Sequence, residues 1–265
     1  MNINDWNGKN VTAAKSKGGV IVTAHPFSNL ITTGCQSWPP PEIVQKLYKS
    51  NHIRDFSDDE QAICNSGLGY YCDLQSLHSE DAITWSVFGN IARAEQAKKD
   101  AWITGLFKMI QLPDAEAKNA DIFLWRRVPH PDDEPVPGGP EIDVGILTEK
   151  TVVLGEAKWL SKTATGQGRG KNKDQIKLRG EYLKKYGLKF YRDRSQLVVL
   201  GIGLHKEAFV NTVPEGIIFR SITWDEICSL NSHPIGDEVK KYLNWKKSNT
   251  KMSGKSIRCA LGVSQ

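Results

Sequence analysis

The stretch that decides the reading is Glu141-Ile142-Asp143-Val144-Gly145-Ile146-Leu147-Thr148, then Glu149-Lys150, then Thr151-Val152-Val153-Leu154-Gly155-Glu156-Ala157-Lys158-Trp159. Both flanking runs are apolar and rich in β-branched residues, and only two residues separate them, so they predict two strands joined by a tight hairpin. Glu156 and Lys158 are two apart and point to the same face of an extended strand. The hairpin carries Asp143 alongside them. Two acids and a lysine thus gather at the rim of an apolar sheet, where charges are costly unless they are paired or bind a metal. Hard oxygen ligands of this kind suit Mg²⁺ or Mn²⁺, which keep waters and accept substrate phosphate oxygens as further ligands.

Working outward, Asp121 to Val128 predicts a strand before the hairpin, and a proline-rich loop from Pro129 to Pro140 links the two. After the hairpin, a Gly/Lys/Arg loop from Ser161 to Lys173 leads into a helix from Asp174 to Tyr186 that Gly187 should terminate. Ser195 to Leu204 and Gly216 to Ile222 predict two further strands, and Thr223 with Glu226 has the spacing of a capping box. Upstream, Ser79 is a good cap for a helix to about Lys98, with Ile83, Val87 and Ile91 as its buried stripe. Ala101 to Leu112 predicts a second amphipathic helix. The order helix, strand, strand, strand, helix, strand is an α/β layout with a mixed β-sheet flanked by helices.

The remaining segments are less informative. Before residue 71 the chain predicts a mostly helical or irregular extension. Its marks are Val20 to Ala24 as a short strand, a helix from Glu42 to Ser50, and a capped helix from Ser57 that stops at Gly67. From Asp237 onward it predicts one basic helix and a polar end. The expected organisation is an N-terminal extension over 1–70, a core over 71–230 and a basic tail over 231–265.

Charge is unevenly spread. The 265 residues carry a net charge of only +5. Residues 157–194, however, hold twelve Lys and Arg against three acids, and residues 239–265 hold seven and none. Basic segments of this kind fit a polyanionic partner or, more blandly, solvated helix faces. Five scattered cysteines with no CxxC argue against a disulfide framework or zinc knuckle and are simplest in a reducing cytoplasm. No apolar run approaches the roughly 20 residues a membrane span needs, and the polar N-terminus offers no secretory signal.

Pro140-Glu141-Ile142-Asp143 followed by Gly155-Glu156-Ala157-Lys158-Trp159 resembles the PD-(D/E)XK motif of the restriction-endonuclease-like nuclease superfamily. The element order from 121 to 204 is similar to that superfamily's core. The resemblance implies a magnesium-dependent nuclease, with Mn²⁺ as a substitute, in which Asp143 and Glu156 bind metal and Lys158 assists the attacking water. It also implies the main-chain carbonyl of Ala157 as a ligand. An acid on the first core helix, Glu80 or its rival Asp81, is implied as well, together with a Gln on the helix after the lysine strand, which Gln175 matches. Tyr182 follows Gln175 by seven residues, not the four of the exonuclease-like subfamily, so an endonuclease is the preferred form. Its substrate would be DNA, double-stranded by preference, in defence against foreign DNA or in repair, and a homodimer or larger complex would suit cutting both strands.

Lys162, Arg169, Lys171 and Lys173 are candidates for contacts to the nucleic-acid backbone, although the loop that bears them could equally be a solvated one. Glu141 is either a solvated acid or one that supports Asp143 from behind. Trp85, Trp102 and Trp125 fall on apolar stripes and read as core. Two other functions compete with a DNA nuclease: a non-catalytic nucleic-acid-binding or assembly protein on the same fold, and an RNA nuclease.

Overall fold

A computed structural model describes residues 1–50, 54–132, 139–161 and 174–250. The chain clusters into two compact units, Met1–Asn90 with the segment from Ile235, and Ile91–Pro234. Residues 71–90, read from sequence with the core, and the helix read as a tail both fall in the first unit.

The second unit is built on a five-stranded mixed sheet. Its strands are β4 (Asp121–Arg127), β5 (Glu141–Leu147), β6 (Thr151–Ala157), β7 (Gln196–Gly203) and β8 (Ile218–Thr223), in that spatial order. The first three pair antiparallel and the last three parallel. The architecture is α/β. The β5–β6 turn is the two-residue connection expected: Thr148 N donates to Thr151 O at 2.9 Å, and Thr151 N donates to Thr148 Oγ1 at 3.0 Å.

Helix α5 (Gln175–Phe190) is the crossover from β6 to β7, capped by Asp174, whose Oδ1 accepts from Lys177 N at 2.7 Å. Its Ile176, Tyr182 and Leu183 join Ile142, Val152, Leu154, Leu197 and Val199 of the sheet in one apolar cluster. The helix does not stop at Gly187 but runs through it. A Cβ at that position would lie 2.7 Å from Leu197 Cδ1, so the glycine permits close approach of helix to strand rather than ending the helix. Helices α4 (Gln96–Met109), with Trp102, Ile103, Leu106 and Phe107 buried, and α6 (Trp224–Cys228), opened by the Thr223–Glu226 capping box, complete the unit.

In the first unit the sequence reading needs correction. Its N-terminal part is helical or irregular over most of its length, as expected, yet only one of its strands, Val20 to Ala24, is suggested by the sequence. It contains a three-stranded antiparallel sheet of β1 (Asn2–Asn4), β2 (Asn10–Lys15) and β3 (Ile21–Thr23). Strand β3 matches the expected strand at Val20 to Ala24, whereas β1 is short and polar and β2 holds one large apolar residue, Val11, so neither of those announces itself. The turn between β1 and β2 is made by Asp5, whose Oδ1 accepts from Asn7 N and Lys9 N, both at 2.9 Å. Ala14, Val20 and Val22 pack with Cys64 of α2 (Asp58–Asn65). The buried Gln75 ties the same region together, its Nε2 donating to the carbonyls of Thr23, Ala24 and Cys64 and its Oε1 accepting from Cys72 N.

Two helices match the sequence pattern in part. Helix α1 (Pro41–Leu47) begins one residue earlier than expected, with proline at its first position. Helix α3 (Glu80–Ala92) is capped as expected, Ala82 N donating to Ser79 Oγ at 3.2 Å, and buries Ile83, Val87 and Ile91 completely. It ends six residues short of Lys98. Glu95, at ψ 144°, leaves the helical region and starts α4 instead. No glycine or proline in 93–95 signals that break.

The C-terminal helix α7 (Gly236–Asn249) is not a solvated basic arm. Val239, Tyr242, Leu243 and Lys246 form a buried stripe at i, i+3, i+4 and i+7, and Tyr242 Oη donates to Asn29 O at 3.0 Å. Among the described residues no helix is long and apolar enough to cross a membrane.

Candidate active site

The site stands where β5 and β6 meet at the open end of the antiparallel hairpin. The ladder pairs Val144 with Gly155, so the next position outward sets Asp143 opposite Glu156. There the backbone ladder gives way to a side chain: Asp143 Oδ2 accepts from Ala157 N at 2.8 Å. On the far side, β6 remains tied to β7 through Lys158 N, which donates to Ile202 O at 2.7 Å. Trp224 Nε1 donates to Lys158 O at 2.8 Å, so the backbone that presents the lysine is pinned from two directions.

Asp143, Glu156 and Lys158 converge. Lys158 Nζ lies 2.7 Å from Glu156 Oε1. The Glu156 side chain is 0% exposed, that of Lys158 10%, and that of Asp143, the most open of the three, 21%. Strand β4 contributes strain to the same place. Its ladder pairs Leu124 with Val144 and Arg126 with Ile142 but skips Trp125 opposite Asp143, and Trp125 adopts φ +52°, a region a bulky residue rarely occupies.

The residue that sequence reasoning missed is Arg179. From one turn into α5, its fully buried guanidinium reaches back to the hairpin. Nη2 is in ion-pair contact with Glu156 Oε2, lies 3.7 Å from Asp143 Oδ2, and donates to Glu141 O at 2.7 Å, while Nη1 donates to Gln175 O at 3.1 Å. A signal for it exists in the sequence. Ile176, Arg179 and Leu183 share one helical face at i, i+3 and i+7, and an arginine inside an apolar stripe calls for a buried anion.

Electrostatics follow from this burial. Loss of hydration pushes the Glu156 carboxyl up to about 7, against the pull of Arg179; Asp143 adds to the rise and Lys158 offsets part of it. The formal charges of Asp143, Glu156, Lys158 and Arg179 cancel.

The other expected residues are placed as follows. Gln175 opens α5, with its main-chain carbonyl receiving Arg179. Glu141 is not merely solvated: its Oε2 lies 3.8 Å from Arg127 Nη2, its partner across the β4–β5 ladder. Trp85, Trp102, Trp125 and Trp159 are all buried. Glu80 and Asp81 lie in the first unit, on the opening turn of α3. There Asp81 pairs with the buried Lys46 at 2.9 Å, and Glu80 raises the pKa of the buried Lys246 against a larger lowering by burial, which leaves that amine at about 7. Lys162, Arg169, Lys171 and Lys173 lie outside the described residues.

Could the site hold a divalent ion? Among the described residues no group of three or more His, Cys, Asp or Glu side chains is placed to hold one. Two carboxylates on adjacent strands remain, of the hard-oxygen type and of the number that Mg²⁺ takes from protein when substrate phosphate and water complete its shell. The donors therefore fit Mg²⁺ or Mn²⁺ shared with a substrate and do not fit a closed protein cage. Comparison with protein-family models, with curated proteins and with solved structures finds no match to this chain. The functional reading rests on the site itself.

Proposed function

We propose that this chain is a magnesium-dependent endonuclease with a restriction-endonuclease-like core, hydrolysing phosphodiester bonds of double-stranded DNA. The observation that carries the reading is the convergence of Asp143, Glu156 and Lys158 at one hairpin end, with Lys158 Nζ 2.7 Å from Glu156. Asp143, Glu156 and the main-chain carbonyl of Ala157 would hold the ion. When bound, Mg²⁺ supplies a Lewis acid for the phosphoryl oxygen and lowers the pKa of a water.

The protein's own groups supply the rest. Lys158 carries a compact ammonium that can contact the scissile phosphate or polarise the attacking water. Its backbone is held by Trp224 and Ile202. Asp143, the most exposed acid, is the side from which a phosphate would approach. Arg179, buried behind the two carboxylates, adds a second positive charge beside them.

A second reading, nucleic-acid binding without cleavage, draws on the ion pair between Arg179 and Glu156, which already compensates the buried carboxylate. One assay separates the readings: supercoiled plasmid and a structured RNA are incubated with the protein, with Mg²⁺ or with EDTA, beside Lys158→Ala. Magnesium-dependent cutting of plasmid that Lys158→Ala loses supports the nuclease. Cutting of RNA alone moves the substrate class. Binding of DNA with no cutting of either favours the second reading.

A further inference from the structure

Among the described residues Arg179 is the cation of the site that the nuclease motif does not contain, and it bears on both carboxylates an incoming ion would meet. Its Nη2 bears on Glu156 and lies 3.7 Å from Asp143, the two carboxylates that would ligate a metal. It cannot drift away as a surface arginine would. The side chain is 1% exposed, and its hydrogen bonds to Glu141 O and Gln175 O fasten it to both β5 and α5. With Lys158 it brings the four charged groups to neutrality before any ion enters. A dication arriving alone therefore meets no net negative charge, and it adds two positive charges beside two already present. At comparable separations the two resident cations offset the attraction that the two carboxylates exert on the ion.

We infer that Arg179 is a resident counter-cation that keeps divalent metal off the Asp143–Glu156 carboxylates until a nucleic-acid phosphate arrives. The phosphodiester supplies the missing negative charge. Metal and DNA therefore bind as coupled ligands, each raising the other's affinity by the same factor. This rests on the nuclease reading and adds to it a regulation: free divalent cation does not charge the enzyme in advance of substrate. Arg179 is a positioning residue here, acting through the two carboxylates.

The test is calorimetric titration of Ca²⁺, as a non-cleaving probe, at about pH 9 so that proton competition for the carboxylates is smallest, into wild type, Arg179→Met and Arg179→Lys, each alone and with a short DNA duplex. For wild type the expected result is weak binding alone and binding at least about tenfold tighter with duplex, within the usual range of coupling. Arg179→Met should bind Ca²⁺ alone at least about tenfold more tightly than wild type and lose most of the duplex dependence, whereas Arg179→Lys, which keeps the charge, should resemble wild type. If Arg179→Met does not fold, the wild-type and Arg179→Lys titrations still decide: equal Ca²⁺ affinity with and without duplex overturns the inference. So does an Arg179→Met affinity no higher than wild type. In either case, if wild type still cuts plasmid with Mg²⁺, the nuclease reading stands without it. Absence of Ca²⁺ binding under every condition, with no cutting, removes both.

Discussion

Arg179→Met should destabilise the second unit by an amount that depends on pH. The guanidinium is the largest favourable influence on Glu156, whose side chain has no exposure to water. Removing one member of a buried ion pair strands the other and costs about 3–5 kcal/mol when that charge remains. The sign follows from linkage. Glu156 sits at about 7 in the folded chain against the usual 4.5, so its ionisation opposes folding, and stability falls as pH rises from about 4.5 to about 7. Without Arg179 the folded value climbs further, and the fall continues above pH 7. At pH 5.5 the carboxyl is protonated in both proteins, and the difference shrinks to the lost hydrogen bonds to Glu141 O and Gln175 O, about 1–3 kcal/mol. Urea unfolding of wild type and variant at pH 5.5 and 8.5 measures this directly. The double variant Arg179→Met with Glu156→Gln should recover part of the loss at pH 8.5 and little at pH 5.5. An equal loss at both pH values, with no recovery in the double variant, would refute the coupling of these two groups.

Other outcomes follow from single contacts. Lys158→Ala should abolish magnesium-dependent cleavage while leaving duplex binding within a few-fold, read by plasmid digestion and a filter or anisotropy assay. Lys246, buried in the first unit with its amine lowered to about 7, destabilises when it must carry charge, so stability should rise between about pH 7 and pH 10; Lys246→Met should flatten that rise and raise Tm at neutral pH. Glu80→Gln removes the acid that favours the charged amine and should lower the Lys246 pKa further, extending that rise to lower pH. Gly187→Ala sets the pressure of its methyl on Leu197 against a helix-propensity gain of about 1 kcal/mol, so its net loss in unfolding free energy should stay below about 2 kcal/mol.

What could be read from the chain in advance depended on how far local pattern alone determines structure. The β5–β6 hairpin was legible because Val144, Ile146, Val152 and Leu154 lie on runs of β-branched and apolar residues around a two-residue turn. The same pairing fixes Asp143 against Glu156. Of the N-terminal sheet only Ile21–Thr23 was legible, as part of the β-branched run Val20 to Val22, whereas Asn2–Asn4 is too short and polar to announce a strand. Arg179 and Lys246 were hidden for a shared reason. A basic residue on a helix is ordinarily solvated, and only its position in an apolar stripe, beside Ile176 and Leu183 or beside Val239 and Leu243, marks it as interior. The break between α3 and α4 at residues 93–95 carries no glycine or proline, so tertiary packing and not local propensity sets it. Gly187 misled in the opposite sense. Its lack of a side chain serves the neighbouring Leu197 and not a helix end.

The most direct test of the account is a crystal of the full chain with a short duplex and Mn²⁺, examined at the manganese absorption edge. An anomalous peak bounded by the Asp143 and Glu156 carboxylates and the Ala157 carbonyl, with Lys158 Nζ beside the bound phosphate, is the predicted result. A duplex bound with no manganese between those two carboxylates, and Arg179 still seated on Glu156, would contradict it.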